Sequence, residues 1–127
     1  MENLSGSETV LIVEDDDSLR KLWQRMLQRH GYKVLTAENG EDALNVSKAY
    51  EGSFDLMITD VVMPKMGGQE TVERLQPLYP HMKVIYMSGY TEDAIVHHGV
   101  LTDGPDFLQK PFSLERLTRK IRGILDK

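Results

Sequence analysis

Five times along this 127-residue chain, a short apolar run gives way to a stretch with helical spacing. The runs are Thr9 to Val13, Lys33 to Ala37, the stretch from Phe54 to Asp60, Lys83 to Met87, and Phe107 to Lys110. Short, β-branched, apolar runs read as strands buried in a sheet. Between them the apolar spacing becomes helical. After Asp17, a stripe of Leu19, Leu22, Trp23, Met26, Leu27 and His30 faces inward, and Arg20, Lys21, Gln24, Arg25, Gln28 and Arg29 take the wet side. Glu41 to Tyr50 carries Ala43, Leu44, Val46 and Tyr50 inward; Gln69 to Gln76 carries Val72 and Leu75. A short helix is expected from Thr91 to His98, and a last one after Ser113 with Leu114, Leu117, Ile121, Ile124 and Leu125 inward. Strict alternation with short connections calls for a parallel sheet covered by helices on both faces. Five strands fit the flavodoxin-like, doubly wound α/β order 2-1-3-4-5.

That order has a functional consequence. Open α/β sheets bind ligands beyond the carboxyl ends of their strands. Four polar features fall at those ends: Glu14 and Asp15 after the first strand, Asp60 after the third, Ser88 after the fourth and Lys110 after the fifth.

Composition narrows the chemistry. The net charge of -5 argues against a nucleic-acid surface, which needs clustered Lys and Arg. The absence of cysteine removes disulfides, thiolate metal sites and thiol catalysis. No apolar run reaches the roughly 18 residues of a membrane span, and the N-terminus lacks a signal-peptide pattern, so a cytoplasmic protein is expected. Residues 1–7 read as a loose arm, a residual linker or a cloning remnant, and 8–127 as one domain.

Three carboxylates brought together repel unless a cation joins them. Hard oxygen donors suit Mg²⁺, which keeps part of its shell for water or phosphate oxygens. Asp16 and Asp17 read instead as residues of a first helical turn, where the helix dipole favours acids. An aspartate can act as a nucleophile and become an aspartyl phosphate, given cations and donors to neutralise the transferring group. Asp60 is the expected nucleophile, Lys110 the point charge and Ser88 the hydroxyl donor.

With these residues in place, the chain resembles the receiver domain of two-component response regulators over nearly all of residues 8–126. Val10-Leu11-Ile12-Val13-Glu14-Asp15-Asp16 looks like the acidic-pair segment. Asp60-Val61-Val62-Met63-Pro64, followed by Gly67-Gly68, looks like the phosphoacceptor segment. Met87-Ser88-Gly89 matches the switch hydroxyl, and Lys110-Pro111-Phe112 the lysine-proline motif. The resemblance implies a phosphoryl group passed to Asp60 from a phosphohistidine on a histidine kinase or histidine phosphotransferase. It implies Mg²⁺ held by Asp15, Asp60 and the Val62 carbonyl, with Glu14 acting through water. It implies a switch through Ser88 and Phe107 that alters the surface of the fourth helix, fifth strand and fifth helix, and a cis peptide before Pro111. Self-catalysed phosphorylation and dephosphorylation would be the only chemistry of the isolated chain, as a monomer or weak dimer.

Narrower similarity, in the segments 86–99 and 107–112, points to receivers at the C-terminal end of hybrid sensor histidine kinases. With no output segment after Lys127, the expectation is a receiver from such a kinase, or a stand-alone regulator. The family ties phosphate lifetime to positions two after the acceptor and two after the switch hydroxyl, here Val62 and Tyr90. Neither can orient a water, which predicts slow self-dephosphorylation.

The chain departs from the family pattern where Gly99, Gly104 and Pro105 break up the region of the fourth helix. Phe107 also lacks the hydroxyl of the family's frequent tyrosine. Two other classes compete. A phosphorylation-independent interaction module would not need an intact Glu14, Asp15, Asp60, Ser88 and Lys110. A haloacid-dehalogenase-like phosphatase needs a second Asp two residues after the first, where this chain has Val62. His97 and His98 are adjacent and so share no helix face. Trp23 and the helically spaced Met residues read as core, and Gly67-Gly68 as a turn before the third helix.

Overall fold

The computed structural model describes residues 6–63, 65–88, 107–110 and 112–126. Its elements are β1 (Thr9–Val13), α1 (Asp17–Arg29), β2 (Lys33–Ala37), α2 (Gly40–Ala49), β3 (Leu56–Asp60), α3 (Gly68–Leu75), β4 (Lys83–Ser88), β5 (Phe107–Gln109) and α4 (Leu114–Leu125). The sheet order is β2-β1-β3-β4-β5, and every pairing is parallel. The expected architecture is therefore present. The expected helix from Thr91 to His98 and the Lys110–Pro111 peptide lie outside the described residues.

The period of two along each strand divides the core into two layers. Val10 and Ile12 of β1, Leu56 and Ile58 of β3, Ile85 and Met87 of β4 and Leu108 of β5 face one way. There they meet Trp23 and Leu27 of α1 and Leu117, Ile121 and Ile124 of α4. Leu11, Val13 and Met57 face the other way, onto Ala43 of α2 and Leu75 of α3. Burying a Leu or Ile side chain is worth about 1.5–3 kcal/mol, so these layers dominate the stability of the fold.

Helix α1 is rotated from its expected setting. Leu22 is 45% exposed, whereas Arg20 is buried together with Trp23 and Leu27. The buried face follows 20, 23 and 27 because the Arg20 guanidinium has partners inside: it donates to the Glu14 carbonyl at 2.8 Å and pairs with Asp17 and, at 3.8 Å, with Glu38. A buried cation with a hydrogen-bonded acceptor outcompetes a leucine at the rim.

The helix ends follow their capping residues. The side chains of Asp16, Asn39 and Ser113 accept from the backbone N–H groups of Leu19, Asp42 and Arg116 at the starts of α1, α2 and α4. His30 closes α1, its Nδ1 3.0 Å from the Met26 carbonyl. Of the N-terminal arm, Gly6 and Ser7 are described; the Gly6 N–H donates to the His30 carbonyl at 3.0 Å. Beside it, Arg122 of α4 pairs with Glu8 at 2.5 Å and tethers the start of β1.

Candidate functional site

The alternation that builds the core also aims the chemistry. Ile12 and Glu14, Ile58 and Asp60, and Leu108 and Lys110 are each two residues apart, so the polar member continues the apolar face toward α1 and α4. Beyond the sheet's end these three side chains meet. Lys110 Nζ lies 2.6 Å from Glu14 Oε1 and 2.6 Å from Asp60 Oδ1. Glu14 is 1% exposed and Asp60 4%. The second Glu14 oxygen accepts from the Asp16 N–H at 3.3 Å, and Glu14's own carbonyl is held by Arg20.

Asp15 completes an acidic group. One carboxylate oxygen each from Glu14, Asp15 and Asp60 lies within 4.8 Å of the others. Asp15 is exposed, at the mouth; Glu14 and Asp60 form the floor. A cleft of about 260 Å³ opens above them, lined by Glu14, Asp15, Asp16, Leu19, Asp60, Val62, Met87, Ser88 and Lys110. Ser88 is buried at the end of β4, and its carbonyl accepts from the Lys110 N–H at 2.9 Å, so strand pairing holds Ser88 and Lys110 side by side.

Burial pushes the Asp60 carboxyl up to about 9, reinforced by neighbouring Glu14 and opposed by Lys110. Burial also works to raise Glu14, but its bonds to Asp60 and Lys110 outweigh it and leave Glu14 below the usual carboxylate range. For Lys110 burial is likewise outweighed: the two carboxylates hold its ammonium above the ordinary lysine value. Three acids facing one lysine leave the site short of positive charge. Both Asp60 oxygens are buried; Oδ1 has the Lys110 ammonium 2.6 Å away, and Oδ2 has no aligned hydrogen bond. A buried carboxylate with one oxygen lacking an aligned hydrogen bond, beside two further hard oxygen donors at a cleft, fits a small divalent cation.

The loop after Asp60 is shaped by close approach. Gly68 donates its N–H to the Val61 carbonyl at 2.9 Å, and a Cβ at Gly68 would stand well inside contact distance of the Asp60 carbonyl oxygen. The turn at Gly67-Gly68 thus lets α3 begin directly against the backbone of Asp60. Lys65, in the same loop, takes a left-handed φ of 66°.

The other face carries the expected switch residue. Phe107 is buried next to Val61, with Val62 and Tyr86 packed against the pair. Phe107 and Tyr86 are register partners across β4 and β5. Tyr90 lies outside the described residues. Sequence reasoning missed Arg20, which props the Glu14 backbone, and the second role of Trp23, whose ring lies 5.5 Å from Lys110 Nζ. Only their shared face on α1, three residues apart, signals either.

The family model of the response regulator receiver domain matches residues 10–122. The chain belongs to that family. The sensor kinase CckA of Brucella abortus (strain 2308) is 41% identical over 125 residues, covering 98% of this chain and 13% of the kinase. The response regulator receiver protein CpdR of the same organism is 31% identical over 116 residues, 91% of this chain and 95% of CpdR. Among solved structures, the receiver domain of the hybrid histidine kinase CckA superposes with a TM-score of 0.76 at 32% identity, covering 92% of this chain and 98% of that one. The chain therefore spans a small part of one relative and nearly all of the other. It is a receiver domain of two-component signalling with hybrid-kinase and single-domain relatives. Receiver domains interact with histidine kinases or phosphotransferases and bind Mg²⁺ at an acidic pocket, and the acidic cluster is present in this receiver. Among the described residues, no helix is long and apolar enough to cross a membrane.

Proposed function

We propose that this receiver accepts a phosphoryl group on Asp60 from a phosphohistidine of a histidine kinase or histidine phosphotransferase. The observation that carries the reading is the buried Asp60 carboxylate on the floor of a cleft, with Lys110 2.6 Å from Oδ1, no aligned hydrogen bond on Oδ2, and Ser88 in the wall. An Asp60 oxygen forms the bond to phosphorus while the bond from phosphorus to the donor's imidazole nitrogen breaks. The electron pair of that bond stays on the imidazole. Lys110 neutralises charge on the phosphoryl oxygens, and the Ser88 hydroxyl donates to one of them.

Asp15, Asp60 and the Val62 carbonyl would hold Mg²⁺, with Glu14 acting through water. The ion supplies charge neutralisation for the incoming phosphoryl oxygens. Ser88 moves toward the new group and Phe107 fills the space it leaves, biasing an existing two-state equilibrium. The readout is the surface formed by β5, α4 and the segment before β5. Val62 lines the cleft with an apolar side chain that cannot orient a water for hydrolysis, which makes the phosphate long-lived.

The 41% identity to the Brucella kinase favours a receiver belonging to a cytoplasmic hybrid kinase system, acting as a monomer or weak dimer. The near-complete span of CpdR keeps a stand-alone regulator as the second reading. Incubation with a labelled phosphodonor and Mg²⁺ tests the assignment: wild type takes up label and Asp60→Asn does not. Label retained on Asp60→Asn refutes it.

A further inference from the structure

Trp23 does more than fill the core. It is 7% exposed on α1. Its ring stacks on Phe112, with centroids 5.1 Å apart and planes 25° apart. The Lys110 ammonium stands 5.5 Å from the centroid of the same indole. That ammonium is also 2.6 Å from Glu14 Oε1 and from Asp60 Oδ1. Lys110 is thus held between two carboxylates and an aromatic ring.

A lysine needs such help. Its four-carbon stem is flexible, and the bond from its N–H to Ser88 anchors only the base of the side chain. An ammonium within about 6 Å of an indole centroid is attracted by the ring quadrupole, and Trp is the strongest of the aromatic partners. Phe112, two residues after Lys110, packs against the same ring, so the indole is fixed by the segment that carries the lysine.

We propose that Trp23 is a positioning residue for Lys110, holding its ammonium over the phosphoryl-accepting cleft and reporting phosphorylation through its own emission. This rests on the reading of Asp60 as phosphoacceptor and Lys110 as its cation. When the Asp60 oxygen becomes an acyl phosphate, the negative charge facing Lys110 moves outward onto the phosphoryl oxygens. The ammonium follows it, and the field at the indole changes. A tryptophan that only packed would depend on neither event.

The test uses the full chain with Mg²⁺ and acetyl phosphate as donor. Labelling rates are measured for wild type, Trp23→Leu, Trp23→Phe, Lys110→Gln and the Trp23→Leu/Lys110→Gln double variant. Trp23→Leu is expected to slow labelling on the order of 2- to 30-fold, the range of a cation–π contact converted to a rate ratio. Trp23→Phe keeps an aromatic face and recovers most of that rate. With Lys110→Gln already present, Trp23→Leu changes the rate no further. Wild-type indole emission shifts when acetyl phosphate is added, and Asp60→Asn abolishes the shift.

An unchanged rate in Trp23→Leu overturns the proposal. So does an equal slowing with and without Lys110, which marks a packing role. If Trp23→Leu does not fold, the wild-type emission decides: an unchanged signal on a labelled protein refutes the proposal, as does a shift that persists on labelled Lys110→Gln, and a shift lost on Lys110→Gln brought to the same extent of labelling supports it. A wild type that takes no label overturns the phosphoacceptor reading and this proposal together. A labelled wild type without Trp23–Lys110 coupling overturns this one alone.

Discussion

Asp60→Asn should make the metal-free protein more stable while abolishing its function. Asp60 is 4% exposed and shares the floor of the cleft with Glu14. Its carboxyl is pushed from an ordinary 3.8 up to about 9, by burial first and Glu14 second. Folding therefore favours the neutral acid. The sign follows from linkage: below pH 3.8 the folded and unfolded states both carry the proton and no cost arises. As pH rises from about 4 to 9, the unfolded chain gives the proton up and stability falls. At pH 7 this cost is on the order of 4 kcal/mol, at 1.36 kcal/mol per pH unit. Two effects reduce the gain from substitution. Asn forfeits part of the 2.6 Å contact to the Lys110 ammonium, and Glu14, held below its ordinary value by its bonds to Asp60 and Lys110, returns part of the cost. A net stabilisation of about 2 kcal/mol remains, roughly 8 °C in melting temperature for a domain of this size. Urea denaturation in chelator, at pH 5 and pH 8, measures it. Wild type should lose stability across that interval, and Asp60→Asn should stay flat. Added Mg²⁺ should stabilise wild type and have little effect on the variant. If Asp60→Asn melts at or below wild type at pH 8, or gains equally from Mg²⁺, the electrostatic account of the site is wrong.

Val62→Asn places an amide in the cleft lining, and decay of the labelled protein should be several-fold faster; an equal or slower rate counts against Val62 as the control on lifetime. Gly68→Ala drives a Cβ into the Asp60 carbonyl, so circular dichroism melts should show a loss of about 1–3 kcal/mol, with labelling slowed as the loop shifts. Glu8 is held below its ordinary 4.5 chiefly by the Arg122 hydrogen bond. Its contribution is present above pH 4.5 and fades as pH falls through the lowered value. Glu8→Gln should therefore cost about 0.5–1 kcal/mol at pH 7 and nothing near pH 2, read from denaturation midpoints.

Local sequence determined most of the architecture. The central strands β1 and β3 report themselves as short apolar runs, because a strand buried on both faces has no polar side to show. The starts of α1, α2 and α4 are marked by side chains that cap them, Asp16, Asn39 and Ser113, whereas α3 begins after Gly67 with no side-chain cap. The site was legible as a set: Glu14, Asp15, Asp60, Val62, Ser88 and Lys110 all line one cleft, since strand ends in a parallel sheet lie together. The turn at Gly67-Gly68 was legible too, but not its reason, which is the backbone of Asp60 lying against Gly68.

Tertiary structure decided what depends on how the elements pack against one another. Hydropathy puts Leu22 inside and Arg20 outside, yet a guanidinium can be buried when a carbonyl from another element is aimed at it, and the Glu14 carbonyl is. Hydropathy also sees Trp23 only as bulk. That its ring would lie 5.5 Å from the ammonium of Lys110, 87 positions later, depends on how α1 packs on the sheet. The pattern of apolar residues carries their burial, but the direction of a polar group's field is set only once the elements have packed.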